Sequence, residues 1–184
     1  ASALPGFGGG VTEEFRFKGT RSEVEIPTLS ALVSLLADWP GVTAFIEIKP
    51  EALAAFGIEE VYWRVEALLA PLAGRAVLIS FDTGFLLAAR RHGWPVLGAV
   101  VVRWAERDHL LLPEIAPEYL FTDLCHLPAA GPLEWCGARL AVYEVADTRI
   151  ALALSQRGVD RVETFAYGEM RQALGMTREA PCHA

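Results

Sequence analysis

No stretch of this 184-residue chain is an unbroken apolar run of the roughly 20 residues needed to cross a bilayer. Leu110-Leu111-Leu112 is interrupted at once by Pro113 and Glu114. The start, Ala1 to Gly10, shows no basic region followed by an apolar stretch, so no signal peptide is read there. Positive charge is in short supply. Lys and Arg total 16 against 23 Asp and Glu, giving a net charge of -7 and a pI near 5.1. That balance argues against nucleic acid and against an anionic membrane surface as partners. It leaves open a small phosphate ligand, which needs only local positive charge or a metal.

Cysteine is scarce too. Cys125, Cys136 and Cys182 are odd in number and lack CxxC spacing, which argues against a disulfide scaffold and a zinc site. Reduced thiols in a cytoplasmic protein are the simplest reading. His92, His109, His126 and His183 are scattered, with no HxxxH or HExxH pattern. His92 follows Arg90-Arg91 at a helix end, where cations are favoured, and His126 reads as a polar loop residue. The five tryptophans share no spacing and are assigned to packing. No internal repeat is visible.

What is present is an alternation. Residues 1–25 are Gly-rich and then charged, and read as a loop or the remnant of an N-terminal region. From residue 26 to 184 the chain reads as a single domain. A helix follows Thr28, its N-cap, with Leu29, Leu32, Leu35 and Leu36 as its stripe, and Trp39-Pro40-Gly41 stops it. Strands are expected at about 43–49, 76–80, 96–102, 119–122, 140–145 and 159–164. Helices are expected at about 58–72, 83–92, 148–157 and 167–174, with a short one inside 105–116. Almost wholly apolar strands between amphipathic helices indicate a parallel sheet covered by helices. An open doubly wound sheet and a closed (β/α)8 barrel both fit this pattern. No GxGxxG follows the first strand, and Gly8-Gly9-Gly10 has no strand–turn–helix context.

The densest signal is Thr43-Ala44-Phe45-Ile46-Glu47-Ile48-Lys49-Pro50. Alternation puts Glu47 and Lys49 on one face of an otherwise apolar strand. Buried unpaired charge is costly, so the two form an internal ion pair or sit at the mouth of a site and act on a ligand. On the strand pattern alone the ion pair is the simpler account. Further charges or hydroxyls stand at other strand ends: Ser80, Glu144 and Glu163. In a barrel such ends converge on one mouth.

The ordered stretches Ile26-Pro27-Thr28-Leu29, Ile46-Glu47-Ile48-Lys49, Ser80-Phe81-Asp82, Val142-Tyr143-Glu144-Val145 and Gly158-Val159-Asp160 resemble the glycerophosphodiester phosphodiesterase family. The resemblance spans about residues 26–170. It implies a TIM-type (β/α)8 barrel, of which about six of eight strands lie in this chain, and a divalent metal, Mg2+ or Ca2+. It implies hydrolysis of a glycerophosphodiester, a small-molecule substrate, to glycerol 3-phosphate and an alcohol. By the same resemblance Glu47 is a metal ligand, Lys49 contacts the phosphate, and Ser80, Phe81 and Tyr143 line the substrate pocket. Tyr143 and Glu144 replace the tryptophan and threonine of the family pattern, which alters the alcohol end of the pocket.

The family's His-Arg-Gly strand end, its Glu-x-Asp strand and the His-Asp pair after it have no counterpart here. Two histidines that act as acid and base, and two further metal ligands, would lie outside these residues. Glu47 and Lys49 therefore read as half of a site, since neither can carry both halves of acid–base chemistry near neutral pH as histidine can. Two alternatives stand beside this reading. One is a non-catalytic phosphate-binding or scaffolding relative. The other is a barrel phosphodiesterase acting on sphingolipid or lysophospholipid head groups. Apolar sheet edges left by six strands invite a partner, and a homo-oligomer stays open.

Overall fold

The computed structural model describes residues 26–72, 74–109 and 111–176. The expected N-terminal loop at 1–25, and Cys182 and His183, lie outside the described residues. Strands β1 (Ala44–Glu47), β2 (Ala76–Ser80), β3 (Leu97–Val101), β4 (Tyr119–Asp123), β5 (Arg139–Tyr143) and β6 (Val159–Val162) form one sheet. The helices are α1 (Leu29–Ala37), α2 (Pro50–Phe56), α3 (Ile58–Leu69), α4 (Thr83–Arg91), α5 (Leu112–Ile115), α6 (Thr148–Gln156) and α7 (Tyr167–Ala173). Short 3-10 turns at Ala70–Leu72, Trp104–Asp108 and Leu124–His126 complete the connections.

Every neighbouring strand pair is parallel, and the spatial order is the chain order, β1 to β6. A doubly wound sheet reverses its order at a switch point, so the sequential order decides between the two architectures in favour of the barrel type. The sheet also curls. In a flat sheet β1 and β4, three strands apart, would be separated by about 14 Å. Yet the Phe45 ring of β1 lies 5.0 Å from that of Tyr119 and 5.3 Å from that of Phe121, both on β4. Contact across that span requires a concave face, as inside a barrel.

Alternation divides the strands between two cores. Phe45, Val77, Ile79, Val100, Tyr119, Phe121, Ala141 and Tyr143 fill the concave side. Leu78, Leu97, Ala99, Leu120, Leu140 and Val142 face outward and pack with Val65, Leu69, Phe85, Leu86, Ala89 and Leu154 of the helices. Gly98 belongs to the concave layer by register. A Cβ there would come within 2.8 Å of Ile79 and 3.2 Å of Phe121, so the close approach of β3 to its neighbours requires glycine.

Local chemistry sets the helix starts. Thr28 Oγ1 accepts from the Ala31 amide at 3.2 Å, Asp82 Oδ1 from Phe85 at 2.8 Å, and Asp147 Oδ1 from Arg149 at 2.7 Å, each satisfying an orphan donor. The chain leaves α6 through Gly158 at φ 103°, where a Cβ would stand 2.8 Å from the Leu133 carbonyl. One helix was not foreseen from the sequence. The first strand was expected to run to residue 49, but it ends at Glu47, and Pro50 opens α2 at its N1 position.

Candidate active site at the strand ends

Because all six strands run the same way, their carboxyl ends share one rim. Glu47 and Lys49 stand there at the end of β1. Lys49 keeps extended backbone (φ -78°, ψ 142°) as the residue before α2, so the alternation continues and its side chain returns to the side of Glu47. Lys49 Nζ lies 2.7 Å from Glu47 Oε1. That oxygen is out of reach of water and has no well-aligned hydrogen bond, so the contact is a close charge pair. Glu47 is the more enclosed partner, with its side chain 28% exposed, while that of Lys49 is 61% exposed. A charge this open is available to a ligand.

Ser80 acts from the other side. Its neighbours Val77 and Ile79 point into the concave core, so Ser80 points outward, and it is 1% exposed. Its hydroxyl donates to the Ile48 carbonyl at 2.7 Å and accepts from the Asp82 amide at 3.0 Å. With both roles occupied, Ser80 ties the ends of β1 and β2 together and fixes the turn into α4. Ser80, expected to line a substrate pocket, is buried at the ends of β1 and β2 with its hydroxyl held by Ile48 and Asp82. Phe81, the next residue, is 39% exposed on the rim.

Tyr143 closes the concave core at the end of β5, and its hydroxyl donates to the Val101 carbonyl at 3.3 Å. Burial, then the carboxylates of Asp123, Glu144, Glu106 and Glu47, push its pKa well above the ordinary tyrosine value. It therefore remains a neutral phenol at any physiological pH. Glu144 follows at φ 64°, a left-handed conformation that costs a non-glycine residue roughly 1 kcal/mol. Such strain is often retained at functional sites.

Asp123 was not singled out from the sequence. The signal was its place at the end of Tyr119-Leu120-Phe121-Thr122, two residues after inward-facing Phe121. Its carboxylate accepts from the Cys125 amide at 2.6 Å and lies 3.6 Å from His126 Nδ1. The Cys125 thiol is exposed, and the charge of Asp123 is the largest cause holding its pKa up.

The rim is thus acidic, with Lys49 as the cation beside Glu47. Glu163, just past β6, shows the effect. Partial burial, then Glu47 and Glu144, raise its pKa above the usual glutamate value, with Lys49 pulling the other way. A raised folded pKa means the folded state keeps its proton longer. Stability therefore falls as pH climbs from the unfolded value of about 4.3 through the raised folded value, and is level above it. Glu163→Gln is expected to raise the urea midpoint near pH 7 and to leave it unchanged at about pH 3.5. A lower midpoint near neutrality would show that the charged carboxylate stabilises the fold instead.

Among the described residues no three His, Cys, Asp or Glu side chains converge closely enough to hold a metal ion. Glu47 is a single carboxylate already covered by Lys49. The donors present do not fit a divalent cation by themselves. No helix among the described residues is long and apolar enough to cross a membrane.

Solved structures share this fold. A phosphodiesterase from Oleispira antarctica, in complex with its product sn-glycerol-3-phosphate, superimposes with a TM-score of 0.63 at 20% identity, over 81% of this chain and 61% of its own. A glycerophosphodiester phosphodiesterase from Parabacteroides distasonis gives 0.62 at 19% identity, over 81% and 64%. A candidate glycerophosphoryl diester phosphodiesterase from Silicibacter pomeroyi gives 0.65 at 15% identity, over 83% and 58%. No family model and no curated protein matches the sequence. The chain has the fold seen in glycerophosphodiester phosphodiesterases and spans about three fifths of the length of these structures.

Proposed function

We propose that this chain forms the phosphate-facing part of a phosphodiester-hydrolysing site that converts glycerophosphodiesters to glycerol 3-phosphate and an alcohol. One observation carries the reading: an open lysine paired to a buried carboxylate oxygen at the common rim of sequential parallel strands. The fold neighbour holding sn-glycerol-3-phosphate supports it. A phosphodiester is anionic and a poor electrophile, so hydrolysis needs its oxygens neutralised and protons moved. In this reading Lys49 takes a phosphoryl oxygen as a point charge. Glu47 would be one oxygen ligand of a hard divalent cation, Mg2+ or Ca2+, which the described donors cannot hold by themselves and which would supply charge neutralisation at the phosphoryl group. Phe81 and Tyr143 shape the pocket for the glycerol and alcohol portions, and Glu144 marks the alcohol end. In this reading the acid–base histidines would have to be supplied from outside these residues. Exposed unpaired thiols at Cys125 and Cys136 suit a reducing, cytoplasmic setting.

The expected result is EDTA-sensitive release of glycerol 3-phosphate by a polypeptide joining this domain to His-Arg-Gly and Glu-x-Asp strands, and little or no turnover by these 184 residues alone. Failure of that longer polypeptide on a panel of glycerophosphodiesters would overturn the reading. It would favour instead a non-catalytic phosphate-binding relative, for which the closed Glu47–Lys49 pair is the supporting observation.

A further inference from the structure

A cavity of about 190 Å³ opens at the amino end of β2, where α3 and α4 both finish. Leu69 and Ala76 form part of its apolar wall, and Tyr62, His92 and Trp94 bring aromatic rings to it. Glu66 of α3 is the carboxylate on its lining. The volume is that of about six water molecules in the liquid, which suits a molecule of a few heavy atoms.

The walls are held in place. His92 stacks on Tyr62 with ring centroids 4.7 Å apart. Its Nε2 lies 2.9 Å from Glu59, which ties the end of α4 to the first turn of α3. The Trp94 amide donates to the Ala89 carbonyl at 2.9 Å, and the Trp94 carbonyl accepts from Arg90 at 3.3 Å. The indole is the exception. Trp94 is 8% exposed, and its Nε1 is out of reach of water with no acceptor among the described residues. A buried donor left without a partner is costly, and nearly all such groups in folded proteins have one.

The charge around the cavity says what kind of molecule would bring that acceptor. Glu66 is half-buried and enters no salt bridge among the described residues. Tyr62 registers its presence: burial, then Glu66, then Glu59, raise the pKa of the phenol, so the ring stays neutral. The arginines nearest in sequence are turned elsewhere. Arg75 donates to the carbonyls of Leu36, Trp39 and Val42, and Arg90 to Glu118 and the Ile115 carbonyl. An anion would therefore meet a carboxylate with no cation to offset it. A cation gains from Glu66 and from the faces of aromatic rings.

We propose that this cavity binds a small amino alcohol, its ammonium on Glu66 and its hydroxyl oxygen accepting from Trp94 Nε1. A free carboxylate and a free donor in one small cavity select a ligand that carries both a cation and an acceptor. The site lies at the amino ends of the strands, so it does not rest on the hydrolysis proposed at the rim.

The test is ethanolamine titrated into the whole chain, isotope-labelled at its tryptophan indole nitrogens and followed by nuclear magnetic resonance. Trp94→Phe assigns the Trp94 signal by removing it, and triple-resonance spectra assign it if that variant does not fold. Ethanolamine is expected to shift the Trp94 signal saturably and to leave those of Trp39 and Trp104 in place. Ethylamine, which lacks the hydroxyl, should bind about fivefold more weakly, and ethylene glycol, which lacks the charge, about tenfold. Glu66→Gln should weaken ethanolamine binding about tenfold.

An unmoved Trp94 signal would overturn the proposal. So would equal affinity for the three compounds, which would leave the indole bonded to water. Undiminished binding by Glu66→Gln would remove the carboxylate from the site and overturn it too.

Discussion

Lys49→Met is expected to abolish measurable binding of glycerol 3-phosphate to this chain, whereas Glu47→Gln, in the absence of added cations, is expected to strengthen it. Phosphate and Glu47 compete for one ammonium group. With Glu47 at 2.7 Å the charge is already engaged, and a ligand must displace a carboxylate to reach it. Removing that carboxylate frees the cation and lowers the negative potential of the rim. The lysine side chain is more than half exposed, so the gain is discounted to that of a solvent-screened pair, about two- to fivefold in Kd. Removing the lysine leaves only like charge facing the phosphate.

Calorimetry in EDTA checks both variants, and raising the salt concentration should shrink the difference between them. Methionine keeps the aliphatic stem, and Lys49 makes no side-chain cap on α2, so the fold should tolerate the change. Equal affinity in the parent and both variants would identify the pair as an internal ion pair with no role in phosphate binding. The opposed signs separate the two accounts, which a loss in both variants would not.

Phe85→Ala is expected to cost about 3–5 kcal/mol of folding stability. Phe85 is fully buried in the outer layer. It lies in the first turn of α4, which packs on β2 and β3 and touches α3 and α5. Deleting the ring leaves a cavity bounded by strands on one side and helices on the other, and neither can collapse into it freely. The cap from Asp82 to the Phe85 amide is a backbone contact, so it survives the substitution and the loss reports packing. Against a typical total of about 5–15 kcal/mol, that is a large share of the stability of the fold. Urea denaturation followed by circular dichroism measures it. A loss under about 1 kcal/mol would show that the outer layer is loosely packed there.

Much of the architecture is legible in the residues. The second strand, read at 76–80, is β2 at those bounds, because a short apolar run is closed there by Ser80 and by the helix cap Asp82. Thr28, Asp82 and Asp147 mark helix starts, since a short polar side chain before an apolar stripe can satisfy the first free amides. Glu47 and Lys49 could be placed on one face from spacing alone. Ser80 could not be placed. Every residue of β2 is buried, so both faces of the strand are apolar and alternation carries no label for inside and outside. Only the contacts of Val77 and Ile79 with the concave core turn Ser80 outward, to bond the Ile48 carbonyl. Asp123 was passed over for the opposite reason: an acidic residue after a short strand looks like an ordinary loop entrance until the curl of the sheet carries it to the rim.

By itself, then, the sequence determined the βα alternation, the parallel sheet and the placing of Glu47 and Lys49 on one face, because these rest on periodicity and local hydrogen bonding, which neighbouring residues encode. Tertiary structure alone decided that the sheet runs in sequential order and curls, so that Phe45 meets Tyr119 and Phe121. It alone decided that the carboxylates of Glu47 and Glu144 act on both Tyr143 and Glu163, and that of Asp123 on Tyr143, from separate strand ends. It also gathered Arg139 and Arg161 on the Tyr119 ring. Those juxtapositions join residues up to 116 positions apart, and they arise from sheet twist and from packing on two faces, which no local pattern records.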